Sequence, residues 1–173
     1  MTDPNLVYLG LGSNIERERY ITAGLDALAA EFGTLDISSV YESEAVGFDG
    51  SPFLNLVVGL HTERPVGELS DLLKGMEENN GRRRNAAKFS PRTLDLDILT
   101  YGELRGTLDG VQLPRAEILY NAFVLRPLAE IVPDRRHPVN GRCYRDLWQS
   151  YDRDQRLWPV SFHWHGRAIS PRQ

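Results

Sequence analysis

Arg92-Thr-Leu-Asp95-Leu-Asp97-Ile98 opens the most regular stretch of the chain, which runs from Thr93 to Tyr101. Apolar and polar residues alternate there with the period of a strand. Read this way, Leu94, Leu96 and Ile98 face a core, while Asp95 and Asp97 share the opposite face about 7 Å apart at Cα. Aspartate is a poor strand former, and two carboxylates side by side repel each other. The pattern therefore asks for cations between them. Hard oxygen ligands select Mg²⁺, and a pair of them can hold two ions over a polyphosphate. The plainer alternative is an exposed sheet face that happens to carry aspartate.

Immediately upstream, Arg82, Arg83, Arg84, Lys88 and Arg92 place five cations, and no acid, between residues 82 and 92. A cationic arm beside a metal-ready carboxylate pair describes a site for a nucleotide polyphosphate, in which arginines neutralise developing charge. A solvated basic loop and a nucleic-acid patch are the alternatives. Nucleic acid is the weaker of these, because the formal net charge is −4 and aromatic residues do not interleave with the cluster. The chain contains no Gly-x-x-x-x-Gly-Lys-Ser/Thr run, so any use of ATP is not of the P-loop kind.

Reading outward, Val7, Leu9 and Leu11 alternate with Tyr8, Gly10 and Gly12, a short buried strand entering a Gly-Ser-Asn turn. Ile21, Leu25, Leu28 and Phe32 give residues 16–32 the spacing of an amphipathic helix that stops at Gly33. Strand-like stretches follow at 35–44 and 53–62, separated by a loop at 45–52. Pro65 opens a second helix, with Val66, Leu69, Leu72, Leu73 and Met76 on one face and Asn79-Asn80-Gly81 at its end. Beyond the aspartate strand come an Asp109-Gly110 turn, an apolar segment at 122–131, and a weakly alternating stretch at 159–167. Strand, helix, two strands, helix, strand is the order of a ferredoxin-like α+β sandwich, an antiparallel sheet with helices packed on one face.

Composition bounds the rest. The 173 residues are 41% hydrophobic and 25% charged, which suits one globular domain with a core of its own. Residues 1–80 carry 4 basic against 14 acidic side chains, and residues 81–173 carry 16 against 10, so halves of −10 and +6 lie behind the total. Of the 20 basic residues 18 are Arg, the better fork for phosphate oxygens. A lone Cys143 excludes an internal disulfide framework and a multi-cysteine metal site. No apolar run reaches the roughly 20 residues of a membrane span and no signal pattern opens the chain, so a cytoplasmic setting without membrane partners is expected.

Three other features carry less. Gly10-Leu-Gly12-Ser-Asn14 begins like a dinucleotide fingerprint, but Ile15 holds the third glycine position, and a tight turn is the better reading. His163 and His165 would share one strand face without a third ligand nearby. Cys143 and His137 have no recognisable catalytic partner.

Taken together, these blocks resemble the 6-hydroxymethyl-7,8-dihydropterin pyrophosphokinase family. The resemblance runs from Val7 to about Leu147. It rests on Tyr8-Leu-Gly-Leu-Gly-Ser-Asn14, Tyr41-Glu-Ser-Glu-Ala-Val-Gly47, Phe53-Leu-Asn55, Glu77 with Gly81-Arg-Arg-Arg84, Pro91-Arg-Thr-Leu-Asp-Leu-Asp-Ile98 and Phe123-Val-Leu-Arg-Pro-Leu128. It implies the ferredoxin-like sandwich and a reaction that passes the β,γ-pyrophosphoryl group of ATP to the pterin hydroxymethyl group, releasing AMP. Asp95 and Asp97 would hold two Mg²⁺ ions, and Arg82 and Arg92 would contact the phosphates as the other catalytic residues. Glu77, Arg84, Lys88, Ile98 and Arg115 would complete the nucleotide side. Phe53 and Phe123 would sandwich the pterin, while Asn55 and the backbone from Ser43 to Val46 read its hydrogen-bonding edge. ATP and pterin are the expected partners, in a monomer or weak homo-oligomer.

The departures from the family pattern gather on the ATP side. Ser90 stands where a glycine is usual, Arg115 where a histidine is usual, Ala116 where Tyr or Pro is common, and Asn121 where an arginine is usual. A single domain over 1–173 is expected, with 148–173 as an extension beyond the resemblance. Two alternatives stay open: a diverged paralogue acting on a related pterin or nucleotide, and a pterin- or nucleotide-binding protein without turnover.

Overall fold

The computed structural model describes residues 3–43, 52–81 and 93–172. In chain order the elements are β1 (Leu6–Ser13), α1 (Arg17–Phe32), β2 (Asp36–Ile37), β3 (Val40–Ser43), β4 (Phe53–His61), α2 (Val66–Asn79) and β5 (Asp95–Tyr101). Then come β6 (Gly106–Leu108), β7 (Val111–Leu113), a 3-10 turn (Ala116–Leu119), α3 (Ala122–Ile131), α4 (Tyr144–Gln149), β8 (Leu157–Val160), β9 (Phe162–Trp164) and β10 (Arg167–Ser170).

The main sheet runs β5-β1-β4-β3-β8, with β2 also on β4. Every adjacent pair is antiparallel. Over β1, α1, β3, β4, α2 and β5 the order matches the expected sandwich: α1 leads from β1 to β3 while β4 inserts between them, and α2 leads from β4 to β5 while β1 inserts.

Two apolar layers hold the sheet. Val7, Leu9 and Leu11 of β1, with Leu54, Leu56, Val58 and Leu60 of β4 and Leu94, Leu96 and Ile98 near β5, pack against Ile21, Leu25 and Leu28 of α1 and Leu69, Leu73 and Met76 of α2. Tyr8, Val57 and Leu99 point the other way, against Val124, Leu125 and Leu128 of α3 and Tyr144 and Leu147 of α4. Helices thus cover both faces, where one was expected. Residues 122–131 carry enough apolar side chains to cover a second face, and a sheet strand such as β4, buried on both sides, needs that cover. Truncating a fully buried leucine such as Leu25 is expected to cost about 2–5 kcal/mol.

Among the described residues no strand pairs with the outer edge of β5, and that edge is met by other means. The Leu96 N–H donates to Glu77 Oε2 of α2 at 2.8 Å, and the Arg115 N–H donates to the Leu99 carbonyl at 2.8 Å. A bulge at Leu99, which keeps the α3 side of Asp95 and Asp97, resets the strand's phase and turns Tyr101 to the α1–α2 face.

Other readings are revised by the structure. The first two glycines of Gly10-Leu-Gly12-Ser-Asn14 lie inside β1 rather than in a turn. His165 sits in the β9–β10 hairpin turn at φ 50°, not on a strand face with His163, and contacts Asp26 Oδ1 at 2.7 Å. His137 is buried and accepts the N–H groups of Val139 and Asn140 on Nδ1, so it organises a turn. At the chain's far end, β8 pairs with β3 and widens the sheet. Among the described residues no helix is long and apolar enough to cross a membrane.

Candidate active site

The antiparallel register decides which side chains meet. Asp97 lies opposite Gly10 and Asp95 opposite Gly12 on one side of β1, and Asn55 lies opposite Gly12 on the other. Cross-strand partners share a face, so Asp95, Asp97, Gly10, Gly12 and Asn55 all look toward the α3 side. Ser43 pairs with Phe53 and Tyr41 with Asn55, which extends the same row to β3. Asn55 is 9% exposed and donates Nδ2 to Ser43 Oγ at 2.9 Å. Phe123, half-buried, opens α3 on this same face.

Glycine at positions 10 and 12 makes the floor between these groups. A Cβ on Gly12 would meet Asn55 Oδ1 at 3.0 Å and Phe53 Cδ1 at 3.8 Å; a Cβ on Gly10 would meet Leu99. Backbone alone separates the carboxylate pair from the Asn55–Phe53 corner. The sequence carried this signal in the strict alternation of Val7, Leu9 and Leu11 with Gly10 and Gly12, although the run was read there as a turn.

Asp97 is a strongly perturbed acid. Partial burial, with 34% of its side chain exposed, and the neighbouring Asp95 push its carboxyl from 3.8 up to about 7, against the pull of Arg115. Arg115 Nη1 lies 3.7 Å from Asp97 Oδ1, but its stronger partner is Glu117, reached by Nε at 2.8 Å and Nη2 at 2.5 Å. Glu117 in turn accepts Asn121 Nδ2 at 2.7 Å. Neither Glu117 nor the role of Asn121 as its hydrogen-bond donor was foreseen in the sequence.

The folded chain therefore holds the Asp97 proton more tightly than the unfolded chain does. Stability is greatest below about pH 4 for this group and falls as pH rises through about 7. Asp97→Asn is expected to melt higher than the parent at pH 8 without divalent cations, with the difference closing toward pH 4. Calorimetric scans of both proteins across that range check it; a lower Tm for the variant at pH 8 contradicts it.

A divalent cation fits the donor set. Two hard carboxylates lie on one face, and their mutual repulsion is only partly relieved by an arginine committed to Glu117. Among the described residues no third His, Cys, Asp or Glu completes a protein-only cage, which leaves coordination positions for water and phosphate oxygens.

Of the remaining candidates, Glu77 is buried on the Leu96 amide and so fixes the strand bearing the aspartates. Ile98 faces the α1–α2 core. Arg82, Arg84, Lys88, Arg92, Val46 and Ser90 lie outside the described residues.

Comparison with known proteins gives a consistent result. The family model described as 7,8-dihydro-6-hydroxymethylpterin-pyrophosphokinase matches residues 8–133. A 2-amino-4-hydroxy-6-hydroxymethyldihydropteridine pyrophosphokinase of Pseudomonas aeruginosa is 40% identical over 145 residues, covering 82% of this chain and 88% of that protein. One of the same name from Bacillus subtilis is 37% identical over 131 residues, covering 73% of this chain and 78% of that protein. Among solved structures, the Plasmodium falciparum HPPK-DHPS with pterin and p-hydroxybenzoate aligns with a TM-score of 0.66 at 15% identity. It covers 86% of this chain, which spans only 43% of that longer one.

Proposed function

The chain belongs to the 7,8-dihydro-6-hydroxymethylpterin-pyrophosphokinase family, and from that membership we infer that it transfers pyrophosphate from ATP to the hydroxymethyl group of 6-hydroxymethyl-7,8-dihydropterin in folate synthesis. The observation that carries this reading is the single face on which Asp95 and Asp97 stand across a glycine floor from Asn55, Ser43 and Phe53.

The pterin lies on the Phe53 and Phe123 side, where its flat ring stacks, and Asn55 and Ser43 offer hydrogen-bonding groups to its edge. The backbone as far as Val46 completes that edge. Asp95 and Asp97 would hold two Mg²⁺ ions, which would supply charge neutralisation to the triphosphate. Arg82, Arg84, Lys88, Arg92 and Arg115 supply fixed positive charge to the same phosphates, and Glu77 anchors the carboxylate strand beneath them.

Chemically, the hydroxymethyl oxygen forms a bond to the β-phosphorus while the bond from that phosphorus to the α–β bridging oxygen breaks, and AMP leaves. Positioning and charge neutralisation suffice, and no covalent intermediate with the protein is required. Residues 1–173 act as one catalytic unit, of which 148–173 form an extension that supports the sheet edge through β8.

The test is a rate matrix in which ATP, Mg²⁺ and the pterin are each omitted in turn. AMP release that needs all three is expected. ADP release in place of AMP, or tight pterin binding with no AMP, overturns the reading; the second result would favour a binding protein without turnover.

A further inference from the structure

We propose that Gln155 is a positioning residue for this transfer, tying the pterin-side helix to the phosphate-side arginine through one directed chain of hydrogen bonds; the proposal rests on the functional reading above. Gln155 lies beyond the 8–133 span that matches the family. Its Oε1 accepts the Ala122 N–H at 2.5 Å and the Tyr151 hydroxyl at 2.8 Å, and its Nε2 donates to Asn121 Oδ1 at 3.1 Å. Asn121 Nδ2 donates to Glu117 Oε2 at 2.7 Å, and Glu117 Oε1 holds Arg115, whose Nη1 lies 3.7 Å from Asp97 Oδ1.

The chemistry of the two ends sets the direction of the chain. Ala122 contributes the first N–H of α3, which has no partner within the helix and can only donate. Glu117 at the other end is a carboxylate and can only accept. Gln155 must therefore turn its oxygen to Ala122 and its nitrogen to Asn121, and Asn121 must turn its nitrogen to Glu117. One arrangement satisfies both ends of the chain; the Tyr151 hydroxyl, which also lies 2.8 Å from the Tyr120 carbonyl, shares its single proton between that carbonyl and Gln155 Oε1. The arrangement fixes the start of α3, where Phe123 follows Ala122, and in the same stroke the carboxylate that aims Arg115.

Gln155→Glu separates these two duties. The new carboxylate still accepts from Ala122 and Tyr151, so the helix start is kept. It cannot donate to Asn121, which is left between two acceptors. With wild-type turnover as reference, the pterin KM is expected to stay within about twofold while kcat falls about tenfold. Glu117→Gln alone creates the opposite mismatch, donor against donor, once Asn121 turns to accept from the new amide. Combining the two lets Asn121 reverse, donating to residue 155 and accepting from residue 117, so the double variant is expected to recover most of the kcat lost in Gln155→Glu.

Additive losses in the double variant, or an unchanged kcat in Gln155→Glu, overturn the proposal. Should Gln155→Glu fail to fold, Asn121→Ala cuts the same link from its other side and must show the same split between KM and kcat. The Asn121 side-chain amide resonance provides a reading independent of turnover. It should move in Gln155→Glu and move again, not return, in the double variant; an unmoved resonance contradicts the relay. A wild-type protein that forms no AMP would sink the functional reading while leaving this resonance test intact.

Discussion

Asp97→Ala is expected to lower the rate of AMP release by about three orders of magnitude, the equivalent of the several kcal/mol that metal-assisted charge neutralisation contributes to phosphoryl chemistry. The size of the effect follows from where Asp97 stands. It lies on the shared face beside Asp95, opposite Gly10, where burial and the neighbouring carboxylate raise its pKa against the pull of Arg115. The substitution removes half of the carboxylate pair and leaves Arg115 to Glu117 alone. The corner formed by Asn55 and Ser43 is untouched, because its hydrogen bond does not involve β5. Initial rates should therefore show a collapse of kcat with the pterin KM nearly unchanged. A loss confined to the pterin KM would place Asp97 in the wrong half of the site.

Gly12→Val should be nearly as damaging, lowering kcat/KM by about 100-fold through misplacement of the reacting groups. The backbone at Gly12 runs between Asp95 on β5 and Asn55 on β4. Even a single Cβ there sits 3.0 Å from Asn55 Oδ1, and the two further methyl carbons of valine have to enter the space above the sheet face. Strand propensity favours the substitution, since valine is a better strand former than glycine. Thermal stability should therefore hold while activity falls, and a melting scan beside the rate assay distinguishes the two. Activity within about threefold of the parent would mean that the floor beside Asn55 is not part of the reacting space.

Much of this was legible in the residues, and the reasons are physical. Leu94, Leu96 and Ile98 alternate with Asp95 and Asp97, and alternation has only one structural meaning at that length, so both the strand and its polar face followed. Pro65 bounded the second helix because it fixes φ at a helix start, and Gly33 and Gly81 marked helix ends because glycine admits the positive φ found there.

What stayed hidden depends on partners distant in sequence. Gly10 and Gly12 became a site floor only when β5 and β4 flanked them; the local alternation marks a strand but not what stands on either side of it. The second layer of helices, α3 and α4, was hidden because an apolar run of ten residues does not declare which face of a sheet it covers. Glu117 and Gln155 are ordinary polar residues in sequence, and their roles arise from contacts across 34 residues between Asn121 and Gln155. The stretch at 159–167, read as one weakly alternating strand, is divided among the end of β8, β9 and the β9–β10 turn, so no single alternation runs through it.

The most direct measurement of the central claim is a phosphorus NMR spectrum of one reaction containing the protein, ATP, Mg²⁺ and 6-hydroxymethyl-7,8-dihydropterin. The expected spectrum shows AMP and a pterin diphosphate ester growing in equal amounts, with no ADP. Growth of ADP with a pterin monophosphate would mean that the γ-phosphorus is attacked instead, and would contradict the account.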